Sequence, residues 1–176
     1  MTPAPRPATS TTPGMTSRQR WTLIATVIGS GAVFLDGTVV NAALKHIGQE
    51  LPGSQLGILE GQAYIVGGYL ATLAALLILS GALADHYGRR RIYTIGLVGF
   101  GFTSALCGLA PTLELMVVFR LAQGATGALL IPGSLALITH AFDGAARGRA
   151  FGIWAASTSA LLVVGPIIGG TMVDTI

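Results

Sequence analysis

Five long apolar stretches, separated by short polar breaks, set the pattern of this chain. None contains Asp, Glu, Lys or Arg, and each is close to or longer than the ~20 residues with which a helix crosses a ~30 Å hydrocarbon layer. The stretches are Trp21–Leu35, Gly61–Ala84, Ile92–Leu113, Leu121–Phe142 and Ala150–Val173. The pattern predicts five membrane-spanning helices over about 21–44, 58–84, 92–110, 113–140 and 149–172, the first including the lone acid Asp36.

The breaks and the apolar stretches together predict a fold class. Lipid offers backbone groups no hydrogen-bond partners, so helices are the expected scaffold. We therefore predict an all-α fold, a polytopic membrane helix bundle. Turn-like breaks at 51–54 and 110–112 and charged breaks at 86–91 and 143–149 separate the spans. Residues 1–20 are rich in Pro, Thr and Ser and predict a disordered tail, and we expect residues 21–176 to form a partial, N-terminal transmembrane domain.

Composition excludes several classes of protein. Only 10% of the residues are charged, against roughly 25% in soluble proteins, and 52% are hydrophobic. The net charge of +3 comes from too few, too segregated basic residues for a nucleic-acid-binding face, so no nucleic-acid partner is expected. His46, His86 and His140 lack metal-ligand spacing, and no phosphate-binding loop is present. We therefore predict no enzyme, cofactor or metal site, and interpret Cys107 as a small buried hydrophobe.

Basic residues concentrate at alternate breaks. Eight arginines lie before span one, between spans two and three, or before span five: Arg6, Arg18, Arg20, Arg89, Arg90, Arg91, Arg147 and Arg149. The opposite side has only Lys45. The positive-inside rule therefore predicts a multi-pass protein of the inner (cytoplasmic) membrane with a cytoplasmic N-terminal tail. A cleaved signal peptide is an alternative for the first stretch, but Asp36 and the absence of a clean cleavage site count against it.

Asp36 is an ionisable residue inside the first predicted span. Burial disfavours the charged form of a carboxyl group, so that such a group can bind and release protons near neutral pH. An acid at a helix end that reaches interfacial water is the structural alternative. Asn41 follows five residues later and is a candidate polar contact on a neighbouring face. Charged groups are costly in lipid, and we therefore predict a functional Asp36.

Arg120 begins a second polar group near the start of span four. An arginine in a membrane needs a carboxylate, a backbone carbonyl or water beside it. Gln123, Gly124 and Gly127 share its helix face at i+3, i+4 and i+7, and the glycines would let another backbone approach closely. Snorkelling of Arg120 to an interface is the alternative.

Span five contains Gly165, Pro166, Gly169 and Gly170 within VVGPIIGG. Proline removes a helical hydrogen bond and favours a kink, and the glycines leave space beside it. The pattern predicts either a deformable helix that takes part in conformational switching or a helix-packing motif.

Four motifs, in order along the chain, resemble the major facilitator superfamily. GALADHYGRRR at 81–91 resembles its signature loop between spans two and three, and RLAQGATGA at 120–128 resembles its span-four motif. The element at 165–170 resembles the span-five motif of antiporters. LDGTVVNAAL at 35–44 is similar to the span-one motif of the fourteen-span drug/proton antiporters (EmrB/QacA-like). The resemblance covers about residues 35 to 170.

The resemblance implies a role for each matched residue. It places Asp36, Asn41, Arg120 and Gln123 in proton coupling or substrate handling, and the 165–170 element in the bend typical of antiporters. Residues of the loop that switches conformation would be Gly81, Asp85, Gly88, Arg89 and Arg90. Three positions depart from the family pattern: Lys45 replaces a common proline, His86 a basic residue and Leu161 a glycine.

The resemblance implies a proton-coupled efflux antiporter of drugs or other small amphipathic molecules. Its partners would be a small-molecule substrate, protons and the lipid bilayer, with no cofactor. Such transporters rock two six-helix halves about a midplane site. Five spans make less than one half, so we expect an N-terminal fragment that lacks the C-terminal half and does not transport alone. The alternatives are a non-transporting truncated membrane protein or helix-pairing scaffold, or a transporter of another small metabolite.

Overall fold

Six helices make up the part of the chain that the structure, a computed structural model, describes, namely residues 14–50 and 57–174. They are α1 (Ser17–Glu50), α2 (Ile58–Tyr87), α3 (Arg89–Gly108), α4 (Leu113–Gly127), α5 (Leu130–Ala141) and α6 (Gly144–Asp174). These described ranges contain no strand. The predicted break at 51–54 lies outside them.

Within the described ranges, four helical segments are long and apolar enough to cross a membrane. They are Ser17–Leu44, Ile58–Tyr87, Leu113–Ala141 (α4 with α5) and Gly144–Ile167. The third predicted span corresponds to α3, which is not among the four. Every 18-residue stretch of this 20-residue helix includes at least one of its three leading arginines, which lowers its apolarity. The all-α membrane helix bundle is confirmed.

The first helix begins earlier than the sequence predicted. Most of the predicted tail, residues 1–13, lies outside the described residues, but α1 starts at Ser17. Thr16 and Gln19 cap it reciprocally: the Gln19 amide N–H donates to Thr16 Oγ1 (3.3 Å), and the Thr16 N–H donates to Gln19 Oε1 (3.0 Å). This capping box satisfies N–H groups that a helix start leaves free. The predicted tail of 1–20 therefore extends too far.

The fourth predicted span is two helices in the structure. The chain turns at Ala128 and Leu129 between α4 and α5. Pro132 follows in the first turn of α5, and a proline has no N–H to give to the carbonyl four residues earlier, here Ala128. The break therefore has a local cause that an apolarity pattern does not reveal.

The bundle is apolar outside as well as inside. One buried cluster joins α1, α2, α3 and α5 through Val33, Tyr69, Tyr93, Phe100 and Leu130. Large apolar side chains also cover the outer surface, among them Leu59 and Ile78, which are 80% and 87% exposed. Exposed side chains of this kind suit a surface that faces lipid.

A buried polar network ties α1 to α5 and α6. Ser30 Oγ donates to Ser134 Oγ (2.7 Å), and Trp154 Nε1 donates to Ser30 Oγ (3.2 Å). Ser134 is also within 3.3 Å of the Thr26 carbonyl. Because lipid supplies no partners, such bonds between helices satisfy polar groups that would otherwise be costly to bury. The network fixes α5 and the start of α6 against α1.

Candidate functional site

An ion pair joins the two ionisable residues that the sequence singled out. Arg120 of α4 donates from Nη1 to Asp36 Oδ2 of α1 at 2.7 Å. The Arg120 side chain is 2% exposed and that of Asp36 is 13% exposed. The carboxylate is therefore the partner that Arg120 needs in a membrane, and the snorkelling alternative is wrong.

Gln123 lies one turn after Arg120 and completes the arrangement. Its Nε2 donates to Asp36 Oδ1 at 3.0 Å, and its Oε1 accepts from Arg120 Nη1 at 2.6 Å. Both oxygens of the carboxylate are therefore hydrogen-bonded. Cys107 of α3 lies on the far side, with Sγ 3.4 Å from Gln123 Oε1. Together Asp36, Arg120 and Gln123 form a closed triangle of bonds between α1 and α4, here called the polar triad.

Tyr69 of α2 closes the polar triad from another side. Its ring centroid lies 4.6 Å from Arg120 Cζ, a cation–π contact. Tyr69 is only 4% exposed. Its hydroxyl oxygen and Arg120 Nε are buried without a hydrogen-bond partner. The site therefore contains two polar atoms without a hydrogen bond, close to the ion pair.

Gly124 explains how α2 and α4 come close enough for this contact. A Cβ atom at Gly124 would collide with the Tyr69 carbonyl oxygen and with Thr72 Oγ1. Only glycine leaves room for another backbone at that distance. The close approach predicted for Gly124 is thus observed, whereas Gly127 is in ordinary contact with the side chains of Phe100 and Leu73.

The polar triad holds one carboxylate and one guanidinium group in direct contact. Protonation of Asp36 would remove the negative charge that Arg120 faces and leave a buried cation without a counter-ion. No three His, Cys, Asp or Glu side chains among the described residues lie close enough to hold a metal ion. The charge balance of the site would therefore change if the carboxyl group of Asp36 gained a proton.

Asn41 lies apart from the polar triad. Its Nδ2 donates to the Gly37 carbonyl at 2.7 Å, one turn earlier in α1, and the residue is exposed. A spacing of five residues turns Asn41 to a different face of the helix from Asp36. The polar contact expected between them is absent.

The loop between α2 and α3 is a single residue. Gly88 has φ of +96°, a conformation that L side chains rarely adopt, and it ends α2 and precedes α3. Asp85 and Arg89 flank it and form an exposed ion pair at 3.0 Å, and Arg90 is also exposed. Gly81 lies inside α2, seven residues before this turn, with open space beside it.

Gly165 brings α6 against α1 near Asp36. A Cβ atom at Gly165 would collide with Thr38 Oγ1, two residues after Asp36. The helix α6 continues past Pro166 to Asp174. Gly169 lies in the same helix, and Gly170 has open space at the position of a Cβ. Further along the interface, Leu161 fills the space over Gly31.

Two members of the site were not predicted from the sequence. Tyr69 and Cys107 lie in apolar runs, where a tyrosine or a cysteine resembles ordinary core. Tyr64 is 54% exposed although it lies in the same run as Tyr69. To predict that Tyr69 and not Tyr64 belongs to the site, one would need to know which face of α2 packs against Gly124.

Comparisons with known proteins show the family of the chain. Residues 26–176 match the family model described as Major Facilitator Superfamily. The chain is 41% identical over 153 residues to a "Methylenomycin A resistance protein" of Bacillus subtilis (strain 168), covering 86% of the chain and 32% of the relative. It is 39% identical over 161 residues to the "Tetracenomycin C resistance and export protein" of Streptomyces glaucescens, covering 92% and 29%.

A third relative is the "Multidrug efflux pump LfrA" of Mycolicibacterium smegmatis (strain ATCC 700084 / mc(2)155), 41% identical over 143 residues, which cover 81% of the chain and 28% of the relative. The chain thus spans less than a third of the length of these curated relatives. The family model nevertheless matches most of the chain and includes Asp36, Arg120 and Gln123. On these grounds, the chain belongs to the Major Facilitator Superfamily.

Proposed function

We propose that this chain is part of a proton-coupled antiporter that exports drugs or other small amphipathic molecules across the cytoplasmic membrane. The polar triad is the observation that carries the proposal, because ionisable groups buried in a membrane are costly and mark ion or substrate pathways. The names of three relatives, which refer to resistance, export and efflux, support the substrate class. We also propose that this antiporter is of the fourteen-span type.

Proton coupling would start at Asp36. When ionised, its carboxylate accepts bonds from Arg120 and Gln123 and joins α1 to α4. A proton on the carboxyl group removes the charge, and the attraction between the two helices then weakens. A cationic or polar substrate competes for the same carboxylate, so binding of proton and substrate favours different arrangements of the helices.

The contact between α1 and α6 would allow protonation of Asp36 to affect the position of α6. Thr38 follows Asp36 within the same turn and packs on Gly165, where a side chain would not fit. Pro166 has no N–H for the Leu162 carbonyl, so α6 bends more easily at this point than elsewhere. We assign Gly165 and Pro166 to the antiporter bend on this basis.

The loop centred on Gly88 has a separate role in the proposal. The ends of α2 and α3 meet there, with Asp85 and Arg89 paired across the turn. We assign Asp85, Gly88, Arg89 and Arg90 to the cytoplasmic loop that changes contacts between the two states. The arginines at this end support a cytoplasmic N-terminus.

Transport assays test the role of Asp36 directly. The complete gene product would be reconstituted in proteoliposomes, and export of a cationic dye would be followed after a pH gradient is imposed. We expect Asp36→Asn to abolish gradient-driven export, because the amide cannot exchange a proton. The matched control is Asp143→Asn, which removes an exposed acid paired with Arg147 outside the polar triad.

Two outcomes contradict the proposal. Export by Asp36→Asn at the wild-type rate would remove the proton role of Asp36. Absence of any gradient-driven flux in the wild-type protein would remove the antiporter assignment and favour a helix-pairing membrane protein.

A further inference from the structure

A groove opens at the end of the bundle where α1 and α3 begin and α5 ends. Its volume is about 1220 Å³. Four arginines lie along it, namely Arg18, Arg89, Arg90 and Arg91, and its lining contains no acidic residue. It lies outside the polar triad and shares no residue with it. A concave surface with this excess of positive charge attracts an anion.

Most of this positive charge is not neutralised within the described part of the chain. Arg89 pairs with Asp85 at 3.0 Å. The other ion pairs found there involve Arg120 and Arg147, neither of which lines the groove. Arg18, Arg90 and Arg91 therefore have no carboxylate within 4.0 Å among the described residues. Three guanidinium groups remain for a ligand, and this group favours phosphate because it can form two parallel hydrogen bonds.

The groove has a fixed floor. Tyr93 is 4% exposed and donates its hydroxyl to the Ala25 carbonyl at 2.8 Å, which joins α3 to α1. The same hydroxyl occupies the place that a side chain at residue 29 would take, and Gly29 leaves it free. Gln19 closes the third side by donating Nε2 to the Ala141 carbonyl at the end of α5 (3.0 Å). The walls therefore do not need to form when a ligand binds.

Aromatic residues place the groove at the level of the lipid headgroups. Trp21 and Tyr87 line it and are 70% and 58% exposed. Trp and Tyr are enriched at the interface between membrane and water, where one end of the ring is apolar and the other end is wet. The groove thus lies where phosphate groups of the bilayer are concentrated.

An apolar stripe leads away from the groove on each of two helices. On α1, Ile24 and Ile28 follow Trp21 at i+3 and i+7, and both are exposed. On α3, Ile95 and Val98 follow Arg91 at i+4 and i+7 and are 59% and 68% exposed. Residues with these spacings share one helix face. A ligand with a negative head and long apolar chains therefore matches both the groove and the surface beside it.

We propose that this groove binds the headgroup of an anionic phospholipid, with its phosphate on Arg18 and Arg91 and its acyl chains along the exposed stripes of α1 and α3. Basic pockets between helices on the cytoplasmic side suit such headgroups. A free phosphate ion would satisfy the arginines alone, and the apolar stripes favour the lipid. Arg18 and Arg91 are not among the residues assigned to the polar triad or the switch loop, although Gly88, Arg89 and Arg90 of that loop also line the groove.

Native mass spectrometry of the full chain tests this site. The protein would be extracted from nanodiscs containing equal amounts of phosphatidylglycerol and phosphatidylcholine, and retained lipids would be counted. We expect one phosphatidylglycerol to be retained selectively. The double variant Arg18→Gln/Arg91→Gln should weaken its retention by roughly 25-fold, since each of the two arginines near a charged lipid surface contributes roughly fivefold.

The matched control removes the same number of positive charges at positions outside the groove. Arg20→Gln/Arg149→Gln removes two exposed arginines that do not line it, and retention should be unchanged. Equal weakening in the control would show diffuse attraction and overturn the site, and so would equal retention of phosphatidylcholine. Inorganic phosphate at millimolar concentration should not displace the lipid. Displacement would overturn the lipid assignment in favour of a phosphate ion. Circular dichroism confirms that each variant is folded.

Discussion

Asp36 and Arg120 are each costly in the bundle and tolerable only together. A buried charge without its partner typically destabilises a protein by several kcal/mol, whereas replacing both charges by apolar groups of similar volume is often neutral. The polar triad meets this condition, because both carboxylate oxygens accept hydrogen bonds and the guanidinium also faces the Tyr69 ring. The stability of the fold and the proton exchange that we propose therefore depend on the same atoms.

Removal of Arg120 alone should destabilise the fold strongly. We expect Arg120→Ala to lower the free energy of unfolding by ~3–5 kcal/mol, because Asp36, whose side chain is only 13% exposed, loses its cation. Thermal unfolding in detergent measures this loss. The double variant Arg120→Met/Asp36→Leu should recover most of it, and an equal loss in both proteins would contradict the pairing.

The ring of Tyr69 should matter more than its hydroxyl. We expect Tyr69→Leu to destabilise the protein by ~2 kcal/mol or more, the size of a desolvated cation–π contact. Tyr69→Phe keeps the ring and removes a hydroxyl without a hydrogen-bond partner, so its melting temperature should stay close to that of the wild type. The expectation is wrong if the two variants lose equal stability.

Members of the site were predictable from the sequence only where the residue type is unusual in a membrane span. Asp36 and Arg120 are unusual in apolar stretches, and both are members. Their pairing was not predictable, because they lie 84 residues apart and no local pattern shows which faces meet. Asn41 is polar and close in sequence, yet its face of α1 points elsewhere.

At the scale of helices, small residues determine which elements touch. Gly124 lets α4 approach the backbone of α2, and Gly165 lets α6 approach Thr38 of α1. Since lipid provides no hydrophobic force between helices, close packing and hydrogen bonds supply the association. Glycine spacing predicted the first of these contacts, but the same residue type at Gly81 or Gly170 faces open space.

A methyl group at Gly124 should separate two helices. We expect Gly124→Ala to destabilise the protein by about 1–3 kcal/mol, because the new Cβ meets the Tyr69 carbonyl and neither backbone can yield easily. It should also weaken the contact of Tyr69 with Arg120. Gly101→Ala is the matched control, since Gly101 has open space on α3. The melting temperatures of the two variants test this prediction. Equal values would contradict the close approach of α4 to α2.

The positions of the helices were predictable from the sequence, but their exact ends were not. The apolar stretches predicted where helices lie, because apolarity is what the membrane requires. The capped start of α1 at Ser17 and the break before α5 depend on the side chains of Gln19 and Pro132, which an apolarity pattern ignores.

For the molecule as a whole, charge gives the orientation that we propose. The N-terminal end of α1, the Gly88 turn and the start of α6 carry arginines, and the first two line one groove. The turn around Pro111 belongs to the opposite end of the bundle, since α3 leads from Gly88 to it. The positive-inside rule places the arginine-rich end in the cytoplasm.

Labelling with a membrane-impermeant maleimide tests this orientation. In a Cys107→Ser background, which removes the single thiol, we expect Gly148→Cys to react only in inside-out vesicles. Pro111→Cys should react only in right-side-out vesicles. Both positions are exposed, so access to the thiol depends on the side of the membrane. The reverse pattern would place the N-terminus outside.

The break at Ala128 and Leu129 has a mechanical consequence. Arg120 and Gln123 lie on one side of it in α4, and Ser134, bonded to Ser30, lies on the other side in α5. A continuous helix would move as one rigid rod, so that a rotation at the ion pair would strain the serine contact. Ala128 and Leu129 keep right-handed helical dihedral angles, but Pro132 has no N–H to give to the Ala128 carbonyl, so we expect the span to bend more easily here than elsewhere. Bending at this point would let the part of the span that carries Arg120 shift without breaking the bond between Ser134 and Ser30.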